Sequence, residues 1–189
     1  MPIVFGYGSL INRSSAEKTL GRSLCKNQIS CATAHHFIRS WTARGCVRLQ
    51  HKERVIPCDA VFLDLTENQG GQCNGVVIEV SQRELAQLDI REKGYERCAV
   101  ELETEGGLVS GYTYMIPEED KFGHGIILGD YKKIIDEALQ ELPDSFSTQF
   151  WESTIASDVP VMHGNYIFED CAQNGAAGHC LEAPWSGAT

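Results

Sequence analysis

Ile3, Val4 and Phe5 make a short apolar run, β-branched and aromatic, that breaks into Gly6-Tyr7-Gly8-Ser9-Leu10. The pattern predicts a buried strand ending in a loop whose glycines permit backbone shapes closed to other residues. Asn12, Ser14 and Ser15 then stand as N-caps before Ala16-Glu17-Lys18-Thr19-Leu20, so a helix is expected there. Strand, tight loop and helix start in that order aim several backbone N–H groups at one point. Such a point suits a carboxylate, a phosphate or a developing oxyanion.

Further along, apolar and polar positions alternate as strands over 30–41, 47–50, 58–65 and 73–80. The stretch 66–72, with Asn68, Gly70 and Gly71, has turn chemistry throughout, so the last two strands are expected to pair across it as a hairpin. Ser81, with Glu84 three residues on, predicts a capping box that opens a helix over 82–89 and turns Leu85 and Leu88 to the core. Gly94 offers its exit. A second hairpin is expected from 98–102 and 108–116 around Glu105-Gly106-Gly107. Tyr131, Ile134, Ile135, Ala138, Leu139 and Leu142 then recur at helical spacing until Pro143 stops them. The stretch 147–155 reads as one more helix, with Phe150 and Trp151 packed inward, and the small-residue stretch from Asn174 onward as irregular.

The glycine loop by itself names no ligand. It lacks the G-x-G-x-x-G of a dinucleotide site, the G-K-[ST] of a phosphate loop and the G-x-S-x-G of a nucleophile elbow, and a plain strand-end turn fits it as well. Composition narrows the classes. A chain of 189 residues with 42% hydrophobic and 22% charged residues is ordinary for a single soluble domain, here 1–189, and no apolar run is long enough to span a bilayer. The net charge of −10 repels a phosphate backbone, and no dense basic patch offsets it, so no nucleic-acid partner is expected. The first residues show no basic n-region or cleavage site of a secretory signal, which makes a cytoplasmic location the expectation. The eight cysteines are irregularly spaced without a C-x-x-C pair and read as reduced, mostly buried thiols. His163, Cys171, His179 and Cys180 have gaps that fit no common metal site, so no metal is assigned.

A second stretch carries chemistry, Leu88-Asp89-Ile90-Arg91-Glu92-Lys93-Gly94-Tyr95. A carboxylate where a helix gives way to a strand can sit at a cavity mouth, and partial burial there lifts its pKa toward the range useful for proton transfer. By spacing alone a solvated Arg-Glu-Lys turn is the stronger reading. A cysteine nucleophile with His35, His36 or His124 as base is a further enzyme reading that eight cysteines make cheap by chance.

Taken together, F-G-Y-G-S-L after the first strand, N-G-V-V-I-E-V at 74–80 and L-D-I-R-E-K-G-Y at 88–95 resemble the γ-glutamylcyclotransferases. They look closest to the ChaC-type branch that acts on glutathione, although R-E-K-G-Y is one residue shorter than that branch's R-E-K-G-G-Y. The resemblance runs from about residue 3 to 140 and leaves the C-terminal region from about 145 unassigned. It implies an α+β fold, a mixed-strand β-barrel flanked by helices, acting without metal or organic cofactor on a small γ-glutamyl substrate. It passes binding of the γ-glutamyl group to the loop of Tyr7, Gly8, Ser9 and Leu10, and the acid/base role to Glu92. Tyr95 and Tyr131 are further substrate-binding candidates in that scheme, and Arg39 and Arg91 are cations able to approach the substrate carboxylate. The implied reaction is intramolecular acyl transfer that closes 5-oxoproline. The substrate stays open among glutathione, γ-glutamyl amino acids and γ-glutamyl amines, as does oligomeric state. A non-catalytic module that keeps the same cavity for a small carboxylate is the reading from another class.

Overall fold

β1 (Ile3–Gly6) lies between two later strands, antiparallel to β3 (Arg54–Glu79) and parallel to β5 (Gly107–Met115). β5 returns from β4 (Glu96–Thr104) as the expected hairpin, β4 pairs with β2 (Ile29–His51), and β2 pairs with β3 along nearly its whole length. The order β3-β1-β5-β4-β2 therefore closes on itself through the β2–β3 ladder, giving a mixed five-stranded barrel. Closure leaves these strands without a free edge and points alternate side chains inward. On β4 Val100 and Leu102 are buried while Glu101 and Glu103 face solvent. The computed structural model of the chain describes residues 1–179.

The hairpin expected around 66–72 is not formed. Both halves of β3 pair with β2 instead, and the turn residues are absorbed as a large bulge: His35 faces Gln72 and Phe37 faces Glu67, so residues 68–71 fall outside the ladder register. Gly70 at φ 89° and His36 at φ 67° take up the distortion on the two strands. Both apolar runs share one partner because β2 is nearly as long as β3, 23 residues against 26, with a single strand where 30–41 and 47–50 read as two. The true reversal is Lys52-Glu53, with His51 opposite Arg54 and Lys52 in the left-handed region at φ 57°.

The β2–β3 ladder also carries the remaining strands. β6 (Ile126–Leu128) runs parallel to β3 at Ala60–Val61 and holds β7 (Val161–Met162), while β8 (Asn165–Phe168) lies antiparallel to β2 at Val47–Gln50. Helices cover the barrel. α1 (Arg13–Leu20) is capped by the Asn12 side chain, which accepts from the Ser15 N–H at 3.0 Å, and α2 (Gln82–Arg91) opens with the Ser81–Glu84 capping box. Leu85 and Leu88 of α2 join Val4, Leu10, Ala16, Leu20 and Leu24 in a second core beside the barrel's own. Each such leucine contributes about 1.5–3 kcal/mol by leaving water. α3 (Gly129–Glu141) and α4 (Asp144–Glu152) follow, with Phe150 buried but Trp151 37% exposed beneath the Lys132 ammonium, contrary to the inward expectation.

Residues 174–177, expected to open an irregular stretch, are helical instead. α5 (Cys171–Ala177) begins on the Asp170 side chain, ends at Gly178 with φ 73°, and is locked to β8 by Asn174, whose amide accepts from Phe168 N–H and donates to Phe168 C=O. A tertiary bond of that kind stabilises a short helix that local propensity leaves undecided. Residues 180–189, and with them Cys180, lie outside the described residues. No helix among the described residues is long and apolar enough to cross a membrane.

Candidate active site

The loop after β1 tightens into a 3₁₀ turn over Ser9–Ile11. Its own hydrogen bonds start with Ile11 N–H to Gly8 C=O at 3.0 Å and Asn12 N–H to Ser9 C=O at 3.2 Å. The Ser9 and Leu10 amides precede the first of these bonds and so point out of the turn. Gly8 is required by close approach, because a Cβ there would stand 2.9 Å from the Tyr131 hydroxyl. Tyr7 is buried with its hydroxyl donating to the Tyr114 carbonyl at 2.6 Å, which fixes the entry to the loop. Leu10 is buried in the core beneath α1 and α2, leaving its backbone as the part able to meet a ligand.

Glu92 is the C-cap of α2 and turns back toward this loop. It lines a recess of about 30 Å³ together with Gly8, Ser9, Tyr95 and Tyr131. Ser9, Glu92, Tyr95 and Tyr131 also line a second, larger cavity of about 690 Å³. The recess has room for about one water-sized atom group; the cavity has room for a small organic molecule. Glu92 keeps 18% of its side chain accessible, and the protein around it raises its pKa above the ordinary carboxylate value. Burial is the larger cause, partly opposed by the adjacent Arg91 guanidinium.

Tyr95 and Tyr131 both bond to the backbone of Leu63. The Tyr95 hydroxyl donates to Leu63 C=O at 3.0 Å, and Leu63 N–H donates to the Tyr131 hydroxyl at 3.4 Å. Tyr131 is held edge-on by Phe62, with centroids 4.8 Å apart. Burial raises the pKa of both phenols, so both are neutral hydrogen-bonding groups. Among the described residues no group of three or more His, Cys, Asp or Glu side chains converges as metal ligands.

Two arginines behave differently from the expectation. Arg39 is wholly buried and lines neither cavity. It donates through Nε to Tyr7 C=O at 2.9 Å, through Nη1 to Phe150 C=O and Ser153 Oγ, and through Nη2 to the backbone and side-chain oxygens of Asn74. Those five N–H groups are spent on the framework, so nothing remains for a substrate carboxylate. Desolvation lowers its pKa to about 10. Arg91, also buried, gives Nη2 to Ser9 Oγ and Ser15 Oγ at 2.9 Å, Nη1 to Ser15 C=O and Thr19 Oγ1, and Nε to Glu92 Oε1 at 3.0 Å. It ties the loop serine to the carboxylate and is equally saturated. Ser15 and Thr19, its other partners, are helix-face hydroxyls, which carry no readable signature in the sequence.

The candidates brought together are thus the Gly8–Leu10 backbone, Glu92, Tyr95 and Tyr131; Tyr7 and Arg39 support them from beneath. In fold the chain is similar to a solved gamma-glutamyl cyclotransferase, at TM-score 0.56 and 19% identity over 82% of this chain and 88% of that one. An uncharacterized protein from Homo sapiens gives TM-score 0.56 at 18% identity, over 83% and 92% of the two chains. A yeast gamma-glutamyl cyclotransferase specific to glutathione gives 0.54 at 14%, over 81% and 96%. No curated protein sequence matches the chain. The first strand from Val4 on, the glycine loop, the carboxylate at the end of α2 and Tyr131 all fall within residues 4–133, the span matched by the family gamma-glutamyl cyclotransferase, AIG2-like, and the chain belongs to that family.

Proposed function

We propose that the protein releases 5-oxoproline from a small γ-glutamyl substrate, with Glu92 as general acid and base. The observation that carries this reading is the Glu92 carboxylate, raised in pKa by burial, lining one recess with Gly8 and Ser9. The substrate's α-ammonium gives a proton to Glu92, and the freed amine attacks its own γ-carbonyl carbon. As the C–N bond to the departing amine breaks, Glu92 returns that proton to the leaving nitrogen; the second ammonium proton passes to solvent or to the released amine. The carbonyl oxygen, negatively charged meanwhile, fits the one-atom recess beside the Ser9 and Leu10 amides, where preorganised donors stabilise it most. Tyr131, which accepts from Leu63, keeps its own hydroxyl proton for the ligand. Because nucleophile and electrophile share one molecule, folding the substrate into a ring-like pose supplies much of the acceleration.

The test is 5-oxoproline release across glutathione, γ-glutamyl amino acids and γ-glutamyl amines, with Glu92→Gln beside the wild type. Loss of the acid/base group is expected to lower turnover by about 10²–10⁴-fold while ligand binding persists. Undiminished turnover by Glu92→Gln removes Glu92 from this role. Binding of 5-oxoproline without turnover of any compound makes the protein a binding module instead.

A further inference from the structure

The larger cavity extends well past the residues that the proposed chemistry uses, and its far wall comes from the segment that follows the family-matched span. β8 places Tyr166 and Phe168 two residues apart, hence on one face of the strand, opposite Leu49 and Val47 of β2. Both rings line the cavity, with Phe62 and His179 beside them. Phe62 and Phe168 have centroids 5.6 Å apart, Tyr166 and Phe168 5.7 Å, and Tyr166 and His179 4.8 Å. The wall is continuous with the catalytic end, since Phe62 also packs edge-on against Tyr131. It carries no charge near neutral pH: burial lowers the His179 pKa to about 4.

The rim argues against a carboxylate on the departing group. Arg44 is engaged by Asp59 at 2.9 Å and Lys93 by Asp170, and Arg13 is engaged by Glu17 at 3.0 Å. Lys18 shares the rim with Glu141, Glu169 and Glu137, the last engaged by Lys133 at 3.7 Å, so outside these ion pairs an anionic leaving group meets one cation against two carboxylates there. A strongly hydrated ammonium gains from that rim only by staying in it, whereas the rings deeper in reward an unsolvated apolar surface.

We propose that β8 and α5 build the leaving-group half of the cavity, and that its aromatic wall selects γ-glutamyl amides whose departing amine is apolar or aromatic. The inference rests on the cyclotransferase reading above and adds the substrate class. The released amine takes its proton from Glu92 at the catalytic end, and its apolar body lies against Phe62 and Phe168.

The experiment measures kcat/KM for 5-oxoproline release from γ-glutamylbenzylamide, γ-glutamylglycine, glutathione and γ-glutamylputrescine, in wild type, Phe168→Ala and Phe168→Leu. The benzylamide is expected to be the best substrate, and Phe168→Ala to lower the ratio of its kcat/KM to that of γ-glutamylglycine by about 10-fold, with Phe168→Leu between. A ratio is read because partial unfolding scales both substrates alike. A preference for a carboxylate-bearing or cationic leaving group, or a ratio that Phe168→Ala leaves unmoved, overturns the inference and leaves the cyclotransferase reading standing. No 5-oxoproline from any of the four overturns that reading itself.

Discussion

Arg91 and Glu92 are neighbours in sequence, yet at the end of α2 their side chains turn to one another, with Nε 3.0 Å from Oε1. The other end of the same guanidinium holds Ser9 Oγ at 2.9 Å, so one planar group sets the distance between the glycine loop and the proposed base. Its charge also lowers the Glu92 pKa against the upward push of burial. Removing that charge in Arg91→Ala leaves burial unopposed, so the pKa rises further. The carboxylate form that accepts the first proton then becomes populated only at higher pH, and the acid limb of a kcat/KM profile moves up. Arg91→Lys retains a charge but not the fork, and is expected to keep the limb nearer its wild-type position while losing maximal rate. An Arg91→Ala profile that drops in height with its acid limb unmoved would mean that the guanidinium only supports the fold.

Gly8→Ala tests the loop from the other side. The added methyl meets the Tyr131 hydroxyl at 2.9 Å, and the ring cannot swing away freely because Phe62 and Trp41 hold it edge-on. The loop or the phenol must shift by a few tenths of an ångström, which changes where the Ser9 amide points. Misplacing one oxyanion donor typically costs about 10²–10³-fold in kcat. The melting temperature is measured beside activity, so that a loss of fold is told from a misplaced donor. An active Gly8→Ala enzyme would remove the loop amides from the chemistry.

What the sequence exposed and what it hid divides along a physical line. Local signals held where one element decides its own geometry. The Asn12 cap, the Ser81–Glu84 box and the β4–β5 hairpin around Gly106-Gly107 all appear where expected. Expectations failed where a distant partner decides. Gly70-Gly71 looks like a hairpin turn, but pairing with a β2 nearly as long as β3 turns it into a bulge, while the actual reversal at Lys52-Glu53 carries no glycine. Arg39 illustrates the limit for the site: in the sequence it is a cation able to approach a substrate carboxylate, and only the fold brings Tyr7, Asn74 and Phe150 around it. The aromatic wall is hidden for the same reason, since Phe62 and Phe168 lie more than a hundred positions apart in the sequence.

Arg39 carries a prediction about stability. Four of its five donors satisfy carbonyl oxygens from the glycine loop, from β3 and from α4, the fifth meets the Ser153 hydroxyl, and its guanidinium lies 3.6 Å from the Phe150 ring centroid. Arg39→Met fills the volume but leaves buried carbonyl acceptors without donors, and hydrogen bonds to charged groups are worth about 1.5–3 kcal/mol each. A loss of more than about 3 kcal/mol in denaturant unfolding is expected. Tolerance of Arg39→Met would show that water reaches those carbonyls in its place. Arg39→Lys, a compact ammonium without the fork, is expected to recover only part of the loss.

Glu92→Gln should stabilise the protein while disabling it. The folded-state pKa of Glu92 lies above its ordinary value because burial disfavours the carboxylate more than Arg91 favours it. Between the unfolded and folded values the native state therefore binds more protons than the unfolded chain, so stability falls as pH rises through that window. Above it, wild type carries the whole cost of a buried carboxylate. Glutamine does not titrate, and its side-chain oxygen still accepts from Arg91 Nε. The variant is expected to melt above wild type at neutral pH, and the gap is expected to close as pH falls below about 4.3, the ordinary glutamate value. Thermal unfolding of both proteins across that range reads the effect directly. A Glu92→Gln protein that melts lower than wild type at neutral pH would mean that the ion pair with Arg91 outweighs burial, and that the carboxylate is a structural partner and not a strained base kept at a cost in stability.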